Sequence, residues 1–335
     1  MLVNKECTYI GNIDQLLVVK QYTFSDGKRN GVKAIDISNS SGLEATILLD
    51  KCMDIYQLKY KGKNLNFITP TGIVAPSYYN AIGTEWFRSW EAGFFTTCGL
   101  TNIGIPSQDD DESLGLHGRI HNIPAENINV DWQNDDKNIC VCISGNIKQA
   151  VMFGENLVLH RKIYCDYKSN NLKIEETITN QGYRETPLML LYHFNIGYPL
   201  LSENAQYVIP SKKIYPRDDY ARTNVNDWRE IKKPQNNFRE MCYYHELEVD
   251  DNNICTVGID NPKNRLFLRI EYDHEVLDKF IQWKMFGKGE YVTGLEPCNS
   301  TIDGRDNARK NGDLKTILPG QSITYKFNIT ITDEV

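Results

Sequence analysis

Ser322-Ile323-Thr324-Tyr325-Lys326-Phe327-Asn328-Ile329-Thr330-Ile331, close to the C-terminus, decides the fold class. Its apolar residues alternate strictly with polar ones, and a period of two puts Ile323, Tyr325, Phe327, Ile329 and Ile331 on one face of a β-strand whose other face is wet. Working outward, similar short segments appear at Glu44 to Leu49, Ile139 to Ile143, Leu157 to Tyr164, Leu172 to Thr179, Met189 to Asn195 and Leu266 to Tyr272. Turn clusters separate them, among them Asn134-Asp135-Asp136, Ser169-Asn170-Asn171 and Asp250 to Asn253. The best helical candidate, Asp273 to Ile281, is short enough to be a turn or an extended edge. The expectation is a mainly β protein: large antiparallel sheets packed as a two-sheet sandwich over residues 1–335 as a single domain. One closed small barrel would be too small for 335 residues.

Composition narrows the function classes. With 41% hydrophobic and 24% charged residues the chain can bury a large core and is not disordered. Its 37 basic against 44 acidic residues are scattered, which argues against a nucleic-acid footprint. The longest apolar runs, such as Leu188 to Phe194, fall well short of the roughly 20 residues of a membrane-spanning helix. Lys5, Glu6 and Asp14 interrupt the region where a signal peptide would be apolar, so a cytoplasmic location is expected. Nine cysteines, an odd number with no CxxC pair, indicate neither a disulfide framework nor a zinc ribbon, and they read as reduced, buried small hydrophobes.

Three positions stand out chemically. His117 lies in Gly115-Leu116-His117-Gly118-Arg119, where flanking glycines permit a sharp turn that presents the imidazole and the guanidinium together. His193 sits in Leu190-Leu191-Tyr192-His193-Phe194-Asn195, a strand apolar on both faces, where its ring shares a face with Met189, Leu191 and Asn195 and needs a partner. Glu296 ends a strand in Tyr291-Val292-Thr293-Gly294-Leu295-Glu296-Pro297, where Pro297 is expected to stop the ladder. Each also has a plain alternative: a solvated turn, a core histidine bonded to a carbonyl, an ordinary strand end. His117 and His121 have helical metal-ligand spacing, but Gly118 and Pro124 argue against a helix, so no metal is expected. Asp109 to Glu112 reads as a solvated acidic loop. No GxGxxG, P-loop or GxSxG occurs, which removes support for nucleotide cofactors and a serine-hydrolase elbow.

Beyond these positions, Asp50-Lys51-Cys52-Met53-Asp54-Ile55, Thr97-Cys98-Gly99-Leu100-Thr101-Asn102-Ile103-Gly104, Leu116-His117-Gly118-Arg119 and Gly294-Leu295-Glu296-Pro297-Cys298-Asn299 resemble, in order, a bacterial branch of the aldose 1-epimerase (galactose mutarotase) superfamily. The resemblance implies a galactose mutarotase-like β-supersandwich with a sugar in a cleft of one sheet. It also implies an isomerase of carbohydrate metabolism that interconverts sugar anomers without metal or organic cofactor. Glu296 matches the family's general base, His193 its general acid, and His117 a second donor to the ring oxygen or a neighbouring hydroxyl. On that reading Glu⁻ beside His⁺ favours the charged form of each. The family's arginine-containing turn has no clear counterpart in Trp86-Phe87-Arg88-Ser89-Trp90, so the substrate-binding candidates are Arg88, Arg119, Lys284 and Arg305, whose guanidinium or ammonium groups suit a phosphate, sulfonate or carboxylate on a sugar. Trp86, Trp90 and Trp283 are candidates for stacking on a pyranose or for the core.

The alternative function is a non-catalytic carbohydrate-binding protein on the same fold. A glycosidase ranks last, since only one well-placed carboxylate is found where two are needed. The expected partner is a small sugar or sugar derivative, with neither nucleic acid nor membrane, and a homodimer through an exposed sheet face or edge is left open.

Overall fold

The C-terminal repeat is a strand, Ser322–Thr332, and it lies inside a sheet rather than at its border. Tyr325, Phe327, Ile329 and Ile331 are buried and Ile323 is half-buried, as the alternation requires. In this computed structural model, which describes residues 5–134 and 138–334, Asn171–Asn180 pairs with that strand on one side and Leu266–Asp273 on the other. The sheet has eight strands and runs from Glu126–Asn134 through Ile139–Ala150, Asn156–Asp166, Asn171–Asn180, Ser322–Thr332, Leu266–Asp273 and Ile254–Asn261 to Gln206–Val208.

Facing it is a sheet of eleven strands. Leu17–Thr23, Lys33–Asn39, Leu43–Leu48, Asp54–Tyr60 and Phe95–Cys98 make one half. Leu191–Ile196, Glu290–Cys298, Lys279–Gly287, Met241–Leu247 and Ser211–Pro216 make the other, and Lys63–Asn64 joins at Asp54–Tyr60. Their pairings are antiparallel, and one apolar cluster draws on both sheets, with Ile163, Ile174 and Ile329 from the smaller and Ile55, Phe95 and Phe194 from the larger. This is the expected sandwich of large antiparallel sheets.

Phe327 ties the layers together, with ring centroids 4.7 Å from Tyr192, 5.5 Å from Phe194 and 5.9 Å from Phe95. Phe327→Leu keeps most of the volume but loses these edge contacts, and a cost of about 1–1.5 kcal/mol is expected in urea unfolding.

Several expectations shift in detail. The strand expected at Met189 to Asn195 is Leu191–Ile196, because the Met189 and Leu190 amides donate elsewhere, to the Leu100 carbonyl and to Asn299 Oδ1. The strand begun at Ile139 continues to Ala150 straight through Gly145, where a Cβ would come within 2.7 Å of Met53 Sδ and Ile128 Cδ1. Asp273 to Ile281 is a strand end, a turn and the start of Lys279–Gly287. Pro297 does not stop its ladder, which extends one residue further to Cys298. Of the turn at Asn134-Asp135-Asp136, the two aspartates lie outside the described residues.

A helix that the sequence reading missed, Arg305–Asn311, corrects the acidic loop. Asp109 is buried and accepts from Arg305 Nε at 2.6 Å and from Arg309 Nε at 2.8 Å, so it is an anchor for the helix while Asp110 and Asp111 stay exposed. Hydrogen bonding to Arg309, and then to Arg305, holds the Asp109 carboxyl below its ordinary pKa against the effect of burial. Among the described residues no disulfide forms, and every cysteine but Cys7 is buried. No described helix is long and apolar enough to cross a membrane.

Candidate functional site

The strand Leu191–Ile196 lies between Phe95–Cys98, where His193 faces Thr96, and Glu290–Cys298, where Phe194 faces Leu295. Side chains two apart share a face, so His193 stands with Leu191 over an apolar patch that includes Met189, Cys98, Ile281 and Cys298. Glu296 rises from the neighbouring strand on the same face, and its Oε1 lies 3.2 Å from His193 Nε2. Both side chains are buried. Neither Glu296 Oε1 nor His193 Nδ1 makes a hydrogen bond within the protein.

Gly294 makes the approach feasible: a Cβ there would sit 2.1 Å from Glu296 Oε1 and 3.2 Å from His193 Cε1. His117 arrives from a different part of the chain, on a turn where its own φ is +55°. Its amide donates to the Gly104 carbonyl at 2.9 Å, and Gly118 lets the backbone pass where a Cβ would meet the Gly99 carbonyl oxygen at 2.2 Å. The His117 and His193 rings are then 6.0 Å apart.

Indoles build the walls. Trp86 and Trp90 stack at 4.9 Å, and Trp90 and Trp283 each meet the His193 ring edge-on at 5.3 Å. Trp90 Nε1 donates to Thr96 Oγ1 and Trp283 Nε1 to Glu240 Oε2, while buried Trp86 Nε1 has no hydrogen bond. The cleft they wall has a volume of about 210 Å³, room for a ligand much larger than one water. His117, His193 and Glu296 line it together with Trp86, Trp90 and Trp283.

Arg217 and Glu240 also line the cavity, and sequence reading missed both. Arg217 follows Ser211–Pro216 and Glu240 precedes Met241–Leu247, so strand pairing brings them to the mouth with no local motif to announce them. The four cations expected there are placed elsewhere. Arg88 is exposed and pairs with Glu85, and Arg119 is exposed and does not line the cavity. Lys284 donates to the Asp227 and Trp228 carbonyls on the opposite side of its strand from Trp283, with burial pulling its pKa down to about 8. Arg305 is spent on Asp109 and Glu112. In each case a nearer carboxylate, a carbonyl or solvent satisfies the cation.

The electrostatics of the central pair differ from the expected Glu⁻ and His⁺. Burial, helped by the Glu240 charge and opposed by Arg217, raises the Glu296 pKa well above the carboxylate range. Burial and then the neighbouring His117 push His193 well below the usual imidazole value. His117 falls to about 3 through burial and the Arg217 charge. Burial thus works against the charged form of each group and favours a neutral carboxyl and a neutral imidazole over the ion pair. His121, the other half of the metal-like spacing, points away into an ion-pair network, and among the described residues no cluster suited to a metal ion is found.

The fold is that of the galactose mutarotases and their relatives. Similar solved structures include a candidate aldose 1-epimerase from Klebsiella pneumoniae, 25% identical, with a TM-score of 0.91 and coverage of 99% of this chain and 90% of that one. A galactose mutarotase-like protein from Clostridium acetobutylicum is 15% identical, with a TM-score of 0.65 over 96% and 100% of the two chains. Galactose 1-epimerase from Lactobacillus acidophilus is 13% identical, with a TM-score of 0.60 over 94% and 98%. No functionally curated protein matches the sequence. One family model, described as Domain of unknown function (DUF4432), matches residues 29–331, nearly the whole length, and the chain therefore belongs to the DUF4432 family.

Proposed function

We propose that this protein is an isomerase that interconverts the anomers of a sugar or sugar derivative, an aldose 1-epimerase-type reaction carried by Glu296 and His193 without a cofactor. The observation that carries the reading is the 3.2 Å contact of these two buried groups, each with a ring nitrogen or carboxylate oxygen free of internal hydrogen bonds, in a cavity walled by indoles. A sugar supplies the missing partners: its hydroxyls and ring oxygen bond the polar atoms, and its C–H faces lie on Trp86, Trp90 or Trp283.

The reaction needs one proton taken from the anomeric hydroxyl and one given to the ring oxygen. As they do so the C1–O5 bond breaks, the aldehyde rotates, and the reverse transfers close the ring on its other face. Beyond the N–H of a neutral imidazole the pair needs one transferable proton, and burial favours its place on Glu296. In that tautomer neutral His193 takes the hydroxyl proton while Glu296 gives its own to the ring oxygen; the family's assignment is the tautomer with the proton on His193. His117, neutral at this pH, offers a second donor or acceptor to the ring. Arg217 and Glu240 at the mouth are placed to bond outlying hydroxyls.

The deciding experiment is anomer exchange, by polarimetry or NMR, with freshly dissolved galactose, glucose and a hexose 6-phosphate. Acceleration of any of them is the expected result. Sugar binding with no acceleration of any of the three would overturn the isomerase in favour of a binding protein. The pH profile is a further expected outcome: activity falls in acid only below the ordinary imidazole range, as His193 gains a proton. It falls in base above the ordinary carboxylate range, as Glu296 loses one. A profile with its acid limb near 6.5 would contradict a depressed His193.

A further inference from the structure

Most of the sequence stretches around Lys51, Thr97 and His121 do not reach the cavity, and the structure gives them a different task. Lys51 Nζ donates to the Ser89 carbonyl at 2.8 Å and to Asn122 Oδ1 at 2.5 Å, and lies 3.3 Å from Glu91 Oε2. His121 is held on both sides, Nδ1 2.7 Å from Asp54 Oδ2 and Nε2 3.3 Å from Glu91 Oε2. Arg161 pairs with Asp54 at 2.7 Å and Glu176 at 2.6 Å and donates to the Cys52 carbonyl and Thr97 Oγ1. Glu176 in turn accepts from the Tyr192 hydroxyl. All of these charged side chains are buried.

The network is a chain of charges with a definite balance. Asp54, Glu91 and Glu176 supply three negative charges and Lys51 and Arg161 two positive ones, so neutrality requires the third positive charge on His121. Burying so many ions costs several kcal/mol each before pairing, and an apolar core of the same volume would be at least as stable. Its contacts show what it holds. Ser89 and Glu91 flank Trp90; Tyr192 precedes His193; Thr97 follows Thr96, which faces His193 across the sheet and receives Trp90 Nε1. The His121 ring itself lies 6.0 Å from Trp86, the indole that stacks on Trp90 and meets His117 at 5.0 Å.

We propose that His121, bracketed by Asp54 and Glu91, is a positioning residue of the cavity: it closes a buried chain of charges that fixes Trp90 and His193 relative to one another. The inference rests on reading the cavity as the reacting site. The charged groups that face His121 are Asp54, Glu91 and Lys51, with Arg161 behind Asp54, and Trp86 covers the ring. Burial and the Lys51 charge oppose protonation of the ring, but Glu91 and Asp54 outweigh them and raise its pKa above the ordinary imidazole value.

The test uses charge balance. His121→Gln leaves the network one negative charge in excess, whereas His121→Gln with Glu91→Gln restores neutrality. The single variant is expected to lose about 10–100-fold in the turnover of anomer exchange, the scale of a displaced reacting group, with a smaller change in KM. The double variant is expected to recover most of that loss, which a purely steric role for the ring would not allow. NMR of the histidine rings, assigned by the signal lost in the variant, should show His121 doubly protonated at pH 7. Indole fluorescence during sugar titration reports the cavity wall without turnover, so a protein that binds sugar but fails to exchange anomers still tests the inference. A neutral His121 ring at pH 7, a single variant that matches the wild type in both turnover and indole fluorescence, or a double variant no better than the single would overturn it. Should the single variant fail to fold, the ring titration of the wild type and the double variant decide.

Discussion

Glu296→Gln is expected to lower the turnover of anomer exchange by about 10²–10⁴-fold, the range for removal of one general acid–base group, while sugar binding persists. The amide keeps the shape and both polar atoms but neither accepts nor releases a proton near neutral pH. The same substitution should raise the thermal midpoint. Burial lifts the Glu296 pKa above its unfolded value, so the contribution of this group to stability is fully present below the unfolded pKa and is lost as pH rises through the folded one. Glutamine cannot ionise, and the gain should grow with pH across that window, to about 1 kcal/mol or roughly a 1–2 °C rise for a chain of this size. Polarimetry and a pH series of melting curves check the two halves together. A variant that keeps wild-type turnover would remove Glu296 from the chemistry. A variant less stable at pH 8 than at pH 5, relative to wild type, would show that the carboxylate is ionised and satisfied in the folded protein.

Arg161→Met is expected to be the most destabilising single change outside the aromatic core. The guanidinium has no exposed surface and spends its donors on Asp54, Glu176, Thr97 Oγ1 and the Cys52 carbonyl. Methionine fills much of the space and leaves Asp54 and Glu176 buried with one cation too few, a loss of about 3–5 kcal/mol. Adding Glu176→Gln to it should return part of that, because the remaining uncompensated carboxylate is then neutral. Urea midpoints of the wild type, the single and the double variant measure both effects. A loss under about 1 kcal/mol for the single variant would mean that the network carries far less charge than its geometry implies.

The fold was legible because strands announce themselves by alternation. Ile323 to Ile331 set the inward face of a central strand, and the segments at Leu157, Leu172 and Leu266 repeated the pattern at the spacing that large antiparallel sheets require. Periodicity is local information, and a face buried on one side writes it into consecutive residues. His193, Glu296 and His117 could be named from their settings, and the structure brings all three to one cavity together with Trp86. The cations were another matter. Whether Arg305 faces a ligand or Asp109 depends on a residue nearly two hundred positions away, and Lys284 turned to the carbonyls of Asp227 and Trp228, so a basic side chain reads the same in both cases.

By itself, then, the amino-acid sequence determined the mainly β class with its large antiparallel sheets and singled out His117, His193 and Glu296 as candidates, because alternation, glycines that allow close approach and short motifs are local. Only the tertiary structure decided which way burial pushes Glu296 and His193, the place of Arg217 and Glu240 at the mouth, and the gathering of Lys51, Asp54, Glu91, His121, Arg161 and Glu176 into one network. Each of these depends on desolvation and on the distance between charges, and both are set by strands far apart in the chain that meet when the two sheets close.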